Sequence, residues 1–280
     1  MLRTSAVRVL GERDLAAALD VVDREPVNNV FVGSRLRAAG LDPWRLGGEV
    51  WGYGSGGRLE SLCYAGANLV PVSAGRDAVR AFAERALRQG RRCSSIVGPA
   101  EAVLPLWDQL SGHWGPARDV RACQPLCVME GAPRVVADPA VRVVRPDELG
   151  ILVPACVAMF TEEVGVSPIG RDGGALYRSR VAELVAARRA FARIEDGEVV
   201  FKAEVGAVSG GVCQVQGVWV APAWRGHRLS EAGMAAVVQL ARATIAPVVS
   251  LYVNDYNTPA RTAYARVGFR EVGAFTSVLF

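Results

Sequence analysis

Apolar residues in the segment LSEAGMAAVVQLARA fall at positions 229, 233, 236, 237 and 240. That spacing puts them on one face of a helix. The same rhythm predicts helices over TPARTAYARV and GALYRSRVAELVAAR, and over DELGILVPACVAMFTEEVG after one or two opening turns. Between them the pattern becomes strand-like. AFARIEDGEVVFKAEVGAV reads as two strands joined at Asp196-Gly197, a pair suited to a two-residue hairpin. VRVVR (141–145), VCQVQGVWV and VVSLYV are further strands, and FREVGAFTSVLF is read as a closing hairpin. The order over the second half is β-α-α-β-β-β-α-β-α-β-β.

The first half repeats this order less clearly. AVRVL is a strand, LAAALDVV and NNVFVGSRLRAAG are helical, and EVWGYGSGGRLESLCYAGANLVPV holds two or three strands. DAVRAFAERALRQG (helix), CSSIV (strand), EAVLPLWDQL (helix) and VRACQPLCVM (strand) complete it. Gly and Pro interrupt two apolar blocks near 130–140. The expected organisation is a domain over 1–130, a linker over 131–140 and a domain over 141–280, two units of one element order as if by duplication.

Composition narrows the function classes. The chain has 280 residues and is 51% hydrophobic, enough for a large core. No long uninterrupted apolar run predicts a membrane span, and the first fifteen residues lack the apolar block of a secretory signal. A cytoplasmic protein is expected. The six cysteines are scattered and the two histidines, His113 and His227, form no ligand cluster with them. No metal is expected, and Ser-His-Asp or Cys-His chemistry has little support. Net charge is +4, and Lys202 is the sole lysine among 32 basic residues. Arginine in place of lysine fits a bacterial genome rich in G+C. The arginines are dispersed without aromatic interleaving, which argues against nucleic acid, while a modest positive surplus suits a small anionic ligand.

The stretch VWVAPAWRGHRLSEAG (218–233) runs from a strand through a basic turn into a helix. A helix start presents unpaired N–H groups and the positive end of its dipole, which suits a pyrophosphate. The stretch lacks the Gly-Lys-Ser/Thr ending of a P-loop and the G-x-G-x-x-G of a dinucleotide fold. It resembles the acyl-CoA-binding motif of the GNAT superfamily of N-acetyltransferases, Arg/Gln-x-x-Gly-x-Gly/Ala after a strand. Here the motif reads Arg225, Gly226, His227, Arg228, Leu229, Ser230, with Arg228 and Ser230 in the two small-residue positions. NDYNTPARTAYARVGF matches a second motif of that superfamily, Asn-x-x-Ala-x-x-x-Tyr-x-x-x-Gly-Phe, as Asn257, Ala260, Tyr264, Gly268 and Phe269. Thr258 is a good helix N-cap with Pro259 first in the helix, and Ala260 and Tyr264 share one face.

The resemblance implies an α/β fold of two tandem GNAT-like domains, each a central mixed sheet flanked by helices. It implies acyl transfer from acetyl-CoA to the amine of a small molecule or a protein, in a monomer or homodimer. Two strands would splay around pantetheine, with backbone groups of Val218 and Val220 holding the acyl carbonyl and the pantetheine amide. Loop 225–230 would take the pyrophosphate, Asn257 would contact the pantetheine arm, and Tyr264 would protonate the leaving thiolate. At a position where many members carry a catalytic Glu this chain has Gln214. Glu204 stands on a strand face with Lys202, as a base or as half of a salt bridge, and Glu162 and Glu163 are further carboxylates or an exposed helix end. The first half carries neither motif and reads as a degenerate GNAT-like domain that shapes the acceptor cleft. Two other functions stay open: a CoA-binding sensor without chemistry, and acylation of a thiol-precursor amine in the manner of mycothiol synthase, itself a tandem member.

Overall fold

The fold is that of a computed structural model in which residues 7–55, 58–170 and 172–280 are described. The chain forms two compact units that do not follow chain order. Unit 1 takes Met1–Leu126, Tyr252–Tyr256 and Glu271–Phe280; unit 2 takes Cys127–Leu251 and Asn257–Arg270.

Unit 1 contains β1 (Val7–Val9), α1 (Leu15–Val22), α2 (Val30–Ala39), α3 (Pro43–Leu46), β2 (Gly48–Ser55), β3 (Arg58–Gly66), β4 (Asn68–Val72), α4 (Arg76–Gln89), β5 (Ser95–Pro99), α5 (Ala100–Trp114) and most of β6 (Asp119–Met129). The short α3 was not legible as a periodic pattern; Asp42 caps it by accepting from the Trp44 amide at 2.9 Å. The last strand of the chain, β12 (Arg270–Leu279), also belongs here. It pairs antiparallel with β5, from Phe275 opposite Pro99 to Leu279 opposite Ser95. The expected closing hairpin is therefore a single strand. Its one glycine, Gly273, stays within the strand and takes no left-handed conformation, so nothing reverses the chain.

Unit 2 is built from β7 (Arg142–Val143), α6 (Leu149–Val164), α7 (Ala175–Ala186), β8 (Ala190–Glu195), β9 (Glu198–Ser209), β10 (Val212–Val220), α8 (Leu229–Thr244), β11 (Val248–Tyr252) and α9 (Thr258–Val267). The strand order is β11-β10-β9-β8-β7. The Asp196-Gly197 hairpin forms as read, with φ of 49° and 79° at its two residues, the conformation a two-residue turn requires. On one side α8 sits close to β9. A Cβ on Gly233 would lie 2.7 Å from the Phe201 ring, so only glycine lets the helix approach that strand. On the other side α6 and α7 bury Leu152, Cys156, Val181 and Val185 with Ala190, Ala192 and Val199 of the sheet.

Residues 131–140 are irregular but fastened to unit 2. The Arg134 amide donates to the Val267 carbonyl at 2.8 Å and the Asp138 amide to Ala232 at 3.0 Å. The Asp138 carboxylate, nearly buried, pairs with Arg193 at 2.9 Å. The strand expected over 141–145 shrinks to two residues because a 3-10 turn, Pro146–Glu148, begins at once. Glu148 organises that turn. It accepts from the Arg142 guanidinium at 2.7 and 2.6 Å and from the Arg145 amide at 2.8 Å, tying β7 to the start of α6.

The Arg142 hydrogen bonds hold the Glu148 carboxyl down at about 2, against the opposing effect of burial and with help from the Arg145 amide. A depressed carboxyl stabilises the fold above its unfolded value of 4.5 and loses that contribution as pH falls toward about 2. We expect Glu148→Gln to lower the melting temperature at pH 6 and to melt together with the wild type near pH 2. A gap between the two proteins that persists unchanged at pH 2 would show that the substitution acts by packing.

Candidate active site

The site follows from where β10 and β11 stop pairing. They run parallel and match only at Val212–Val248, Cys213–Val249 and Gln214–Ser250. Beyond Gln214 the two strands part, while β10 stays paired with β9 as far as Val220 opposite Phe201. Residues 216–220 are partly exposed, in contrast to the buried first four residues of the strand. The backbone edge of β10 that faces away from β9 is thus open to another extended chain.

The strand is also bulged. Gln216 stands opposite Glu204 and Trp219 opposite Lys202, so β10 carries one extra residue at Gly217-Val218. Gly217 has φ of 59°, and a Cβ there would lie 3.1 Å from Lys202 Nζ, 3.1 Å from Met159 Cε and 3.2 Å from Glu204 Cδ. The bulge therefore rests directly on the Lys202–Glu204 pair. Both residues are buried, Lys202 at 1% and Glu204 at 8% exposure. Lys202 Nζ donates to Glu204 Oε2 at 3.3 Å and Gln216 Nε2 donates to Glu204 Oε1 at 3.0 Å. Both carboxylate oxygens are engaged. Gln214, where many members of the resembled superfamily carry Glu, lies at the apex where the strands part. It is 7% exposed, and its buried Nε2 has no acceptor among the described residues.

The strand ends at Ala221 and leads through a 3-10 turn, Pro222–Trp224, into the exposed loop before α8. Among the described residues the amides of Gly226, His227, Arg228, Leu229 and Ser230 find no acceptor. Those free donors sit at the positive end of a sixteen-residue helix, the arrangement that favours an anion. Arg228 is the N-cap, with φ of 59° and ψ of 20°, a left-handed conformation. The motif's glycine falls on this position for that backbone reason. Arg225 does not point into open solvent: its Nε donates to the Val220 carbonyl at 3.0 Å and Nη2 to Glu162 Oε2 at 2.7 Å. Glu162 Oε1 accepts from Trp219 Nε1 at 3.2 Å. Glu162 thus clasps the end of β10, where sequence reading treated it as a further carboxylate or an exposed helix end.

On α9 the cap lies one residue earlier than expected. Asn257, not Thr258, is the N-cap, and its Oδ1 accepts from the Ala260 amide at 3.2 Å. Pro259 is then the second helical residue. Gly268 ends the helix in the left-handed conformation, as read, and Phe269 packs on the Tyr264 ring at 5.9 Å between centroids. Tyr264 is 7% exposed. Burial first, then Glu163 and Cys127, push its hydroxyl pKa above the ordinary tyrosine value. Glu163 is thereby near enough to Tyr264 to matter, which separates it from Glu162. The bulge, the Gln214 orphan and the Glu162 clasp escaped sequence reading. The bulge had a signal, a lone Gly inside the β-rich run VCQVQGVWV.

Residues 170–269, which include the bulge, the loop and α9, match the acetyltransferase (GNAT) family model. This stretch is a GNAT domain. Residues 48–152 match a second family, described as a domain of unknown function (DUF4081). No curated protein matches the chain. Solved structures share its fold over nearly its whole length. A GNAT-family acetyltransferase from Colwellia psychrerythraea aligns at TM-score 0.58 and 11% identity, covering 98% of this chain and 99% of that one. A tandem GNAT protein from the clavulanic acid biosynthesis pathway gives 0.57 and 16%, with 98% of each chain covered. A GNAT protein from Sphaerobacter thermophilus gives 0.56 and 16%, covering 98% of this chain and 95% of that one. The fold is a mixed α/β one of two tandem GNAT-like domains, and the GNAT architecture supports acyl transfer. Among the described residues no helix is long and apolar enough to cross a membrane.

Gly217 and Arg228 share a positive φ of 59°, with opposite residue types. Stability should therefore respond in opposite directions. Gly217→Ala should cost about 1–2 kcal/mol in chemical denaturation, the penalty of an L-residue at positive φ. Arg228→Gly should gain up to about 1 kcal/mol, strain relief less the added entropy of the unfolded chain. Equal signs for the two would mean that side-chain contacts, not backbone conformation, decide both.

Proposed function

We propose that unit 2 transfers the acetyl group of acetyl-CoA to the amine of an acceptor by direct attack on the thioester. The observation that carries this reading is the open edge of β10 beyond Gln214, which leads into the free amides of Gly226–Ser230. Pantetheine is an extended chain with two amides and suits the open edge, with Val218 and Val220 as its backbone partners. The pyrophosphate suits the amides and dipole of α8. The Val220 carbonyl already accepts from Arg225 and has a second lone pair for a ligand. His227 and Arg228, both exposed, are assigned to the phosphates, and the Asn257 Nδ2, without an acceptor among the described residues while Oδ1 caps α9, is assigned to the pantetheine arm.

In the reaction the neutral amine nitrogen attacks the thioester carbon. The C–S bond breaks, the sulfur takes a proton and the new amide nitrogen loses one, leaving CoA with a free thiol. Tyr264 is assigned as donor to the sulfur. Its raised pKa means that it is protonated at every physiological pH, so the donor is always present. The same shift widens its mismatch with a thiol of about 8.5, so its larger contribution is a hydrogen bond to the developing thiolate. For Glu204 the contacts favour holding the bulge in place. Each oxygen keeps a second lone pair, but with Lys202 and Gln216 on the carboxylate and only 8% of the residue exposed, little of it is open to an incoming amine.

Release of free thiol from acetyl-CoA with a panel of amines tests the proposal. A chain that binds acetyl-CoA yet releases none with any amine would be a sensor instead. We expect Tyr264→Phe to keep acetyl-CoA affinity and to lower turnover by about 10²-fold, roughly 2.7 kcal/mol in the barrier. The wild-type rate should show no falling limb from Tyr264 up to about pH 10. Unchanged turnover in the variant would reduce Tyr264 to packing.

Glu204→Gln separates the two roles of that residue. A positioning role predicts a lower melting temperature, with about 1–3 kcal/mol of stability lost for a buried Lys202 left without its partner, and the pH–rate profile of the remaining activity intact. A base predicts loss of the acidic limb with little change in stability. We expect the first outcome.

A further inference from the structure

Unit 1 lacks the features on which the proposed acyl transfer rests, yet it holds a cavity of its own, of about 350 Å³. The cavity lies among the start of β2, the β3–β4 turn and the C-terminal end of α4. Glu49, Trp51, Leu69, Gln89, Arg92 and Trp114 are among its lining residues. Its size falls within the range of small-molecule sites, and its walls are apolar and aromatic with a few polar groups.

Those polar groups are incompletely satisfied. Glu49 Oε2 accepts from Trp51 Nε1 at 3.0 Å and from Gln89 Nε2 at 3.4 Å, and lies 3.8 Å from Arg85. All three contacts fall on the one oxygen, and Oε1 has no partner among the described residues. The Glu49 side chain is 38% exposed, so that oxygen is reachable. Trp114 adds its ring to the wall, with its indole N–H buried away from the opening. Arg92 is exposed at the rim and forms no ion pair among the described residues. Burial raises the Cys93 thiol pKa, so that wall residue stays neutral.

One cavity thus offers a free carboxylate oxygen, a guanidinium at the rim and apolar walls. We propose that it binds a free α-amino acid with an apolar or aromatic side chain. The ammonium meets Glu49, the carboxylate meets Arg92, and the side chain lies against Trp51, Leu69 and the Trp114 ring. A phosphate-bearing ligand fits poorly, because Glu49 repels it and only one arginine of the lining opposes that charge.

Calorimetry on the full chain with L-phenylalanine and L-leucine tests this, with phenethylamine and phenylacetate as the two half-molecules. We expect saturable binding of the amino acids at one site per chain, with each half-molecule at least about ten-fold weaker. Glu49→Gln retains the shape of the side chain. It should weaken phenylalanine and phenethylamine by about ten-fold and leave phenylacetate unchanged. Arg92→Ala, at an exposed position that folding tolerates, should weaken phenylalanine and phenylacetate and spare phenethylamine. No saturable heat with either amino acid would overturn the proposal. So would phenylalanine binding that neither substitution alters.

Discussion

The site in unit 2 depends on one constraint: β10 must stay extended after losing a neighbour. Three residues pair with β11 and then the strands part. A strand edge without a partner leaves backbone donors and acceptors exposed, and sheets usually close such gaps. Here the gap is held open from several directions. β9 stays paired with β10 to Val220 across the bulge, and the Ala221 amide continues the pairing onto the Val200 carbonyl at 3.0 Å. The clasp from Glu162 to Trp219 and Arg225 fixes the free end. Each exposed pair is weak alone, of the order of 1 kcal/mol or less, but both bonds act on one short segment. Gly233 brings α8 tight onto Phe201, which sets the helix whose first amides complete the site.

Unit 1 shows what happens when the same constraint is relaxed. Its corresponding parallel pair, β4 and β5, matches only at Asn68–Ser95 and Leu69–Ile96 before the strands part. The parting is filled rather than open. A Cβ on Gly98 would lie 3.4 Å from the Pro71 carbonyl oxygen and 3.6 Å from Pro71 Cδ, so the two backbones nearly touch. Pro71 also has no N–H, which removes a donor that an extended ligand would need. Only Ser73, Ala74 and Gly75 separate β4 from α4, too short a turn to hold a row of free amides. The first half therefore keeps the element order while its cleft is closed by a proline and a glycine.

Much of this was legible in the sequence because it was local. Helical spacing, the Asp196-Gly197 turn and the Gly268-Phe269 helix end depend on residues within a few positions of one another. What was not legible depended on partners far away in the chain. The final segment alternates like a strand wherever it goes, and nothing in it states that it will pair with residues 95–99. The Asn257 cap was misplaced by one because Asn and Thr are both good caps, and only the observed bond to Ala260 decides between them. Lys202 and Glu204 were visible as a pair on one face. That the pair lies beneath Gly217 required the register of β9 against β10, with its extra residue.

That placement explains why a buried ion pair stands in a site that could have been apolar. Two charges in the interior seldom add stability over a well-packed hydrophobic substitute, so the pair is better understood by what it orients. Glu204 is held from both sides, by Lys202 below and by Gln216 from the bulged strand. Gln216 adjoins Gly217, and a side chain at Gly206 would collide with it at 2.2 Å, so its amide has little freedom. The bulge is thus fixed by directional contacts where apolar packing would allow it to slide. A bulge rotates the backbone groups that follow it, and Val218 is the first residue to feel that rotation. The sole lysine of the chain is used at this point, where a flexible stem and a compact ammonium can reach a carboxylate beneath a strand. An arginine, the basic residue used everywhere else, would bring a planar fork into a space bounded by Met159, Cys156 and the bulge itself.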